Sequence, residues 1–255
     1  MLATPHADAL RQNVQQALSE HKLTSRLLLT EPSIKITAEG VHTDRVIITL
    51  DSASIPYPFL FNLVQTLTPD SAEATRFIET HVHDAISPSS SFMIGCDGKN
   101  IEYYVEHEGG QLRSYDAVRM THGIYNRMPR VYHPSVHHQL QGLLSPPDFK
   151  LLVSLLPLSD LVHVFQRHHP DYDVAYHMSS SRSPMIKSVA SELRQLALAC
   201  NSEAGALVAR FLIKHANDVL SWFFIGVNTE SKKMSINVYV RPPNWYERIK
   251  GLLQL

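Results

Sequence analysis

An acid and two cations fall on the same side of a hairpin predicted near the start of the chain. Residues 27–52 read LLLTEPSIKITAEGVHTDRVIITLDS, two runs rich in Ile, Val and Thr around a turn. Because successive side chains of a strand point to opposite faces, Glu31 and Lys35 share a face of the first strand, and Arg45 lies on the polar face of the second. A face with a carboxylate and two cations is either bathed in water or lines a polar site.

Three more hairpins are predicted along the chain. The second, FMIGCDGKNIEYYVEH at 92–107, turns at an Asp-Gly dipeptide, which is a strong turn signal. The third joins 161–166 to 172–178, and the fourth occupies 222–242, where apolar and polar residues alternate along the return strand. The hairpins recur with helical segments between them, which indicates a structural repeat without repetition of sequence.

Helices are predicted from apolar residues that recur at helical spacing. Asp70 or Ser71 is a plausible N-cap after a break at Pro69, and Ser183 is predicted to cap a helix whose first position is Pro184. The predicted helices cover 7–23, 56–86 with the break at Pro69, 134–144, 183–201, 203–220 and 244–255.

This order of elements predicts the α+β class and a single domain over residues 1–255. Helices that link antiparallel hairpins cover one face of the sheet, so an open sheet would leave its other face in water and two edges exposed. Closing the sheet removes the edges and turns the polar faces inward. We therefore expect an antiparallel β-barrel with an outer ring of helices, with an open α+β sheet as the alternative.

In a barrel, the polar residues of the hairpins would meet in one cavity. In an open sheet the same residues would form an ordinary solvated surface. The residues expected to line the cavity are Glu31, Lys35, Arg45, Glu102, Tyr104, His177, Asn237, Tyr239 and Arg241.

The repeat resembles the ABBA fold of soluble aromatic prenyltransferases, and most of all the cyanobactin peptide prenyltransferases. The first hairpin of that family carries a Glu, then a Ser and a Lys-Ile pair along the strand, and an Arg that opens the return strand. Here these are Glu31, Ser33, Lys35-Ile36 and Arg45. The last hairpin, WFFIGVNTESKKMSINVYVRP, resembles the terminal β-pair of the family, and the second fits its Gly-Φ-Asp form.

The chain also departs from that family. Its members usually have five hairpin repeats, whereas four are predicted here. The Lys-x-Tyr pairs that hold diphosphate in fungal relatives read Glu102-Tyr103-Tyr104 and Asn237-Val238-Tyr239 in this chain.

The resemblance implies transfer of a dimethylallyl or geranyl group from a prenyl diphosphate to a side chain of a peptide, as in the tailoring of a ribosomally made peptide, or to an aromatic small molecule. Cations must stabilise the departing diphosphate. Arg45, Lys35, Arg241 and a protonated His177 are the candidates, with Mg²⁺ bound through the diphosphate.

Aromatic and acidic residues take the remaining roles that the resemblance implies. Tyr104 and Tyr239 would lie beside the diphosphate and shield the allylic cation. Trp222 could join them or belong to the core, and the two residues Glu102 and Asn237 would contact the prenyl group or the acceptor. Glu31 matches the catalytic Glu of the family and would take the acceptor proton. Cations around it would lower its pKa.

Composition limits the remaining classes of function. The 255 residues carry a net charge of −1, so no global field favours nucleic acid or an anionic membrane. No zinc, Walker A or serine-hydrolase motif occurs, and no metal held by the protein itself is predicted. Cys96 and Cys200 lie outside any metal spacing and are expected as reduced, buried thiols of a cytoplasmic protein.

The first residues lack the apolar segment of a signal peptide, and no membrane span is predicted. We expect a monomer or homodimer. A non-catalytic, barrel-like protein that binds an apolar small molecule, or an inactive relative of the family, is the alternative function.

Overall fold

The predicted alternation of helices and hairpins is present in the computed structural model, which describes residues 6–81, 91–98, 100–108, 123–127, 140–155, 161–166, 174–179 and 184–244. This confirms the α+β class. The described helices are α1 (His6–Glu20), α2 (Tyr57–Leu67), α3 (Ala72–His81), α4 (Pro146–Leu155), α5 (Ile186–Cys200) and α6 (Gly205–Lys214).

All four predicted hairpins form, and one additional strand follows the second of them. The strands are β1 (Leu27–Thr37), β2 (Gly40–Asp51), β3 (Ser91–Asp97), β4 (Asn100–Glu108), β5 (Gly123–Arg127), β6 (Leu161–Gln166), β7 (Val174–Ser179), β8 (Val219–Val227) and β9 (Met234–Arg241).

The strands form one nine-stranded sheet in the order β5-β4-β3-β2-β1-β9-β8-β7-β6. The eight strands from β4 to β6 in this order are antiparallel to their neighbours, and β5 runs parallel to β4. In the described part of the chain the sheet is open, with β5 and β6 at its edges. The predicted closure into a barrel is therefore not confirmed.

Helices pack on one face of this sheet, as expected. One apolar cluster joins the buried residues of α1, α2 and α3 to those of β2 and β3. A second joins α4, α5 and α6 to β1, β8 and β9. The stripes predicted on α1 and α5 lie in these clusters: Leu10, Val14, Leu18, Ile186, Val189, Leu193 and Leu196 are all buried.

Local signals set some helix boundaries and miss others. Ser71 Oγ accepts a hydrogen bond from the Ala74 backbone at 3.1 Å, which confirms Ser71 as a cap. The start predicted for α5 is wrong, because the helix begins at Ile186. Its first backbone N–H is satisfied by the carbonyl of Asp218 at 2.8 Å rather than by a capping side chain.

Parts of two predicted helices fall outside the described residues. Of the segment predicted at 134–144, residues 140–144 are described, and 140–143 are helical. The predicted C-terminal helix lies beyond the described residues apart from its first residue.

Both cysteines are free, with Cys96 buried and Cys200 half-buried. The Cys200 thiol donates a hydrogen bond to the Met234 carbonyl at 2.7 Å, which ties α5 to β9. Among the described helices, none has the length and apolar character needed to cross a membrane.

The stability of the fold should fall at alkaline pH. Burial raises the pKa of Cys96 from 9.0 to about 11, that of Cys200 from 9.0 to about 12 and that of Tyr103 from 10.0 to about 12. The folded chain then holds protons that the unfolded chain releases, so these groups contribute stability below pH 9 that is lost as pH rises towards 12.

Urea unfolding at neutral pH and at intervals above pH 9 measures this loss. Cys200→Ala removes one of the three groups and should make the alkaline decline shallower. A decline of unchanged slope in that variant would show that the Cys200 thiol does not contribute.

Candidate functional site

The polar residues predicted to converge do lie on one face of the sheet, opposite the helices. We call this the polar face. On antiparallel strands, residues paired across the ladder put their side chains on the same face. The polar face comprises Glu31, Ser33, Lys35, Arg45, Asp97, Glu102, Tyr104, Trp222, Asn237, Tyr239 and Arg241.

Ser33 lies at the centre of the polar face, between two long side chains on the neighbouring strands. It pairs with Arg45 on β2 and with Tyr239 on β9. Ser33 is small and buried, so the two long side chains on either side of it can reach each other. The side chains of Arg45 and Tyr239 are hydrogen-bonded to each other. The pairing of β1 with both β2 and β9 therefore brings two distant hairpins together.

Arg45 is the centre of a network of polar contacts. Its Nε lies 3.1 Å from Asp97 Oδ1, and its Nη1 donates a hydrogen bond to Asn237 Oδ1 at 3.3 Å. The Arg45 side chain is only 11% exposed. A guanidinium buried to this extent needs such compensation, because an unpaired buried charge costs several kcal/mol.

Burial and neighbouring groups shift the pKa values at this centre. Burial alone would lower the pKa of Arg45, but Tyr239 and Asp97 outweigh it and raise that pKa above its usual value. Burial raises the pKa of Tyr239, and the positive charge of Arg45 opposes that shift. Arg45 is therefore a fixed positive charge beside a neutral phenol at pH 7.

Asp97 gathers three basic side chains and was missed by the sequence reasoning. Besides Arg45, it has Lys35 Nζ at 3.9 Å and His42 Nδ1 at 3.9 Å. The Asp-Gly turn after β3 was recognised only as a turn, although it sets Asp97 directly opposite Arg45.

Glu31 lies further along β1 and is buried, with 4% of its surface exposed. Ser221 Oγ donates a hydrogen bond to Glu31 Oε1. Ser221 reaches the carboxylate because the ladder between β8 and β9 shifts register between Leu220 and Trp222. Ser221 is a polar residue within the apolar run VLSWFFIGV, which is the one sequence signal that could have drawn attention to it.

Arg241 is electrostatically coupled to Glu31. It is 7% exposed, and burial lowers its pKa while the Glu31 carboxylate opposes that shift. The predicted acid and one of the predicted cations are thus neighbours across the β1–β9 junction.

Glu102 and Tyr104 form a separate contact on β4. Tyr104 donates its hydroxyl hydrogen to Glu102 Oε2. The Tyr104 ring lies over Gly95 on β3, where an added Cβ would be 3.1 Å from a ring carbon. Gly95 therefore makes room for this ring.

Two other predicted residues have less defined roles. Trp222 pairs with Tyr239 across the ladder and is half-buried, so it belongs to the polar face rather than to either apolar cluster. His177 pairs with Phe224, and Phe224 pairs with Asn237, so the three residues lie in one row across the sheet. The side chain of His177 lies outside the described residues.

Burial distinguishes the polar face from a solvated surface. Glu31, Asn237, Tyr239 and Arg241 are each less than 9% exposed, although the helices cover the opposite face of the sheet. The alternative of a solvated outer face is therefore wrong for these residues.

The polar face carries charged side chains of both signs. Lys35, Arg45 and Arg241 carry positive charge, and Glu31, Asp97 and Glu102 carry negative charge. An anion that binds here must therefore compete with Asp97 for Arg45 and Lys35.

Across the residues that the structure describes, no three His, Cys, Asp or Glu side chains come together in a way that could hold a metal ion.

Comparison of the chain with family models, with curated proteins and with solved structures gives no match. Functional inference therefore rests on the motifs and on the geometry of the polar face.

Replacing Asp97 with Asn should strengthen the binding of inorganic diphosphate. The change removes the negative charge that competes for Arg45 and Lys35. Two unit charges a few ångströms apart near a protein surface interact by about 1–4 kcal/mol, so we expect a gain in affinity of at least about fivefold. Titration calorimetry measures the affinity.

Asp8→Asn is the matched control, because it removes the same charge from an exposed position on α1. It should leave diphosphate binding unchanged. Equal affinities for wild type and Asp97→Asn would contradict the view that Asp97 competes with an anion.

Proposed function

We propose that this protein is a prenyltransferase of the ABBA type that transfers a dimethylallyl or geranyl group from a prenyl diphosphate to a nucleophilic side chain of a peptide or to an aromatic small molecule. The observation that carries the proposal is the meeting of Glu31, Arg45 and Tyr239, from opposite ends of the chain, on one buried face. Scattered, exposed positions would have been incompatible with it.

The order of the strands supports the finer proposal that the sheet closes into a barrel. Each pair of neighbours is consecutive in sequence except β1 and β9, the first and last strands. If β5 paired with β6, the strand order would form a closed ring. In the described residues, that one pairing is missing. Strand directions alternate such that β5 and β6 would be antiparallel if they paired.

Hydrogen exchange tests the closure. At an open edge every second amide of β6 lacks a strand partner and should exchange quickly. Closure predicts slow exchange for consecutive amides throughout Leu161–Gln166, as in β1, which is paired on both sides. Fast exchange at alternate β6 amides would contradict the barrel.

The proposed reaction begins when the allylic C–O bond of the prenyl diphosphate breaks. The electron pair leaves with the diphosphate, whose charge Arg45, Lys35 and Arg241 stabilise once the diphosphate has displaced Asp97. The faces of Tyr239 and Tyr104 shield the allylic cation from water, an interaction worth about 0.5–2 kcal/mol for each ring.

The acceptor then attacks the allylic carbon, and its proton passes to Glu31. Glu31 is suited to this role because it is a buried carboxylate held in place by the Ser221 hydroxyl. Mg²⁺ would neutralise the diphosphate in the bound substrate, and no protein residue in the proposal is assigned to hold it.

The non-catalytic alternative is favoured by one observation. Charged groups of the polar face already have partners within the protein, as in the ion pair of Arg45 with Asp97 and the hydrogen bond from Ser221 to Glu31. A protein that binds a prenyl compound without ionising it would need no free cation.

Glu31→Gln should reduce prenyl transfer by about 100-fold or more, because the amide cannot accept the proton. The assay combines the protein with dimethylallyl diphosphate, Mg²⁺ and cyclic peptides containing Tyr, Trp, His or Arg. Mass spectrometry detects the addition of one C5H8 unit.

Glu79→Gln, an exposed change on α3, serves as the control and should retain full activity. Circular dichroism confirms that both variants fold. Wild-type protein that binds the diphosphate without forming product on any acceptor would support the non-catalytic alternative over prenyl transfer.

A further inference from the structure

The hydrogen bond from Ser221 to Glu31 crosses a whole strand. Ser221 lies on β8 and Glu31 on β1, and β9 runs between them. Strands two positions apart in a sheet are separated by about 10 Å, so the two side chains meet only by leaning over β9. Both residues are buried, with Ser221 1% and Glu31 4% exposed. The contact is therefore a defined feature of the interior of the protein.

Arg241 is the residue of β9 at the level of this hydrogen bond. It follows Tyr239 by two residues, as Glu31 precedes Ser33 by two, and Tyr239 pairs with Ser33 on the antiparallel strand. Arg241 therefore lies beside Glu31 on the polar face, which agrees with the electrostatic coupling of the two groups.

The other groups that face Glu31 in the described strands come from β2 and β9. The residue paired with Glu31 on β2 is Ile47, which is apolar, and Arg45 lies two residues before it on the same face. On β9, burial raises the pKa of Tyr239, and the Glu31 carboxylate adds to that shift. The cations Arg241 and Arg45 both favour the ionised form of Glu31.

The proposed reaction weakens the contact of Glu31 with its nearest cation. Arg241 is one of the cations that the proposed function assigns to the diphosphate, so binding of the donor draws its charge away from Glu31. A buried carboxylate that loses a cation takes up a proton more readily, because desolvation disfavours its charged form. A protonated Glu31 could not accept the proton of the acceptor. Another group must therefore keep Glu31 ionised in the donor complex.

We propose that Ser221 is a positioning residue that keeps Glu31 ionised and aligned after the diphosphate has engaged Arg241. The inference rests on the proposed function, and Ser221 acts on the reaction only through Glu31. The Ser221 hydroxyl donates to Oε1 of Glu31, so Oε2 receives the proton of the acceptor. The bond between the acceptor and that hydrogen breaks, its electron pair stays with the acceptor, and Glu31 becomes neutral.

The pH dependence of prenyl transfer by Ser221→Ala tests the proposal. The acidic limb of kcat reports the ionisation of the base in the donor complex, whereas that of kcat/KM for the donor reports it in the free protein. Without the hydroxyl, the limb of kcat should move to higher pH. The limb of kcat/KM should move less, because Arg241 is still beside Glu31 in the free protein.

The same variant should separate kcat from KM. At neutral pH kcat should fall by about tenfold or more, which is the effect of one hydrogen bond to a charged group. KM for dimethylallyl diphosphate should stay unchanged, because Ser221 does not contact the donor.

Two further variants control for structural effects. Ser221→Thr keeps a hydroxyl on the same carbon and should restore kcat and its acidic limb. Ser235→Ala removes a serine that is also 1% exposed, near the opposite end of β9 from Arg241. It should leave kcat and its pH dependence unchanged. Circular dichroism checks that all three variants fold.

A titration without turnover separates this inference from prenyl transfer itself. ¹³C NMR of protein labelled in its Glu carboxylates follows Glu31, whose signal Glu31→Gln identifies, with and without saturating inorganic diphosphate. Ser221→Ala should raise the pKa of Glu31 in both states, and by more when diphosphate is bound.

The outcomes distinguish the two proposals. Wild-type protein that forms no product would contradict prenyl transfer, and the NMR titration would still decide whether Ser221 keeps Glu31 ionised. An acidic limb of kcat that does not move in Ser221→Ala would overturn the role of Ser221 while leaving prenyl transfer intact. An equal pKa of Glu31 in wild type and Ser221→Ala would also overturn it.

Discussion

The pairing of the first strand with the last is the constraint on which the rest of the structure depends. β1 lies between β2 and β9, with Ser33 opposite both Arg45 and Tyr239. A pairing between residues about 200 positions apart is costly in chain entropy and is stabilised only by extensive burial on both sides of the ladder. Because side chains alternate along a strand, this one register places Ser33, Arg45 and Tyr239 on the same face. A slip of one residue would send Glu31 into the apolar clusters.

A second consequence of the pairing of β1 with β9 is that charged side chains are buried. The face opposite the helices holds both acids and bases, and several of them meet in pairs rather than facing water. Such pairs contribute little net stability, because desolvation offsets most of their attraction. Their effect is to hold Arg45, Glu31 and Tyr239 in defined positions. The same pairing makes Asp97 the group that any incoming anion must displace from Arg45.

Two local features of the strands allow side-chain contacts on the polar face. The bulge at Ser221 lets a residue outside the regular alternation reach Glu31, and the missing side chain at Gly95 leaves space for the ring of Tyr104. The ladder keeps its register at Gly95, whereas the contact of Ser221 depends on the bulge.

The sequence by itself determined the four hairpins, most of the helices and the apolar and polar faces of β1, β2 and β9, because these depend on local periodicity. It also singled out Glu31, Arg45 and Tyr239. Only the tertiary structure decided that β1 joins β9, that α5 begins at Ile186 against the carbonyl of Asp218, and that Asp97 and Ser221 belong to the network. Register between distant strands and the contacts of a bulge depend on burial across the whole sheet, and no local pattern of residues encodes them.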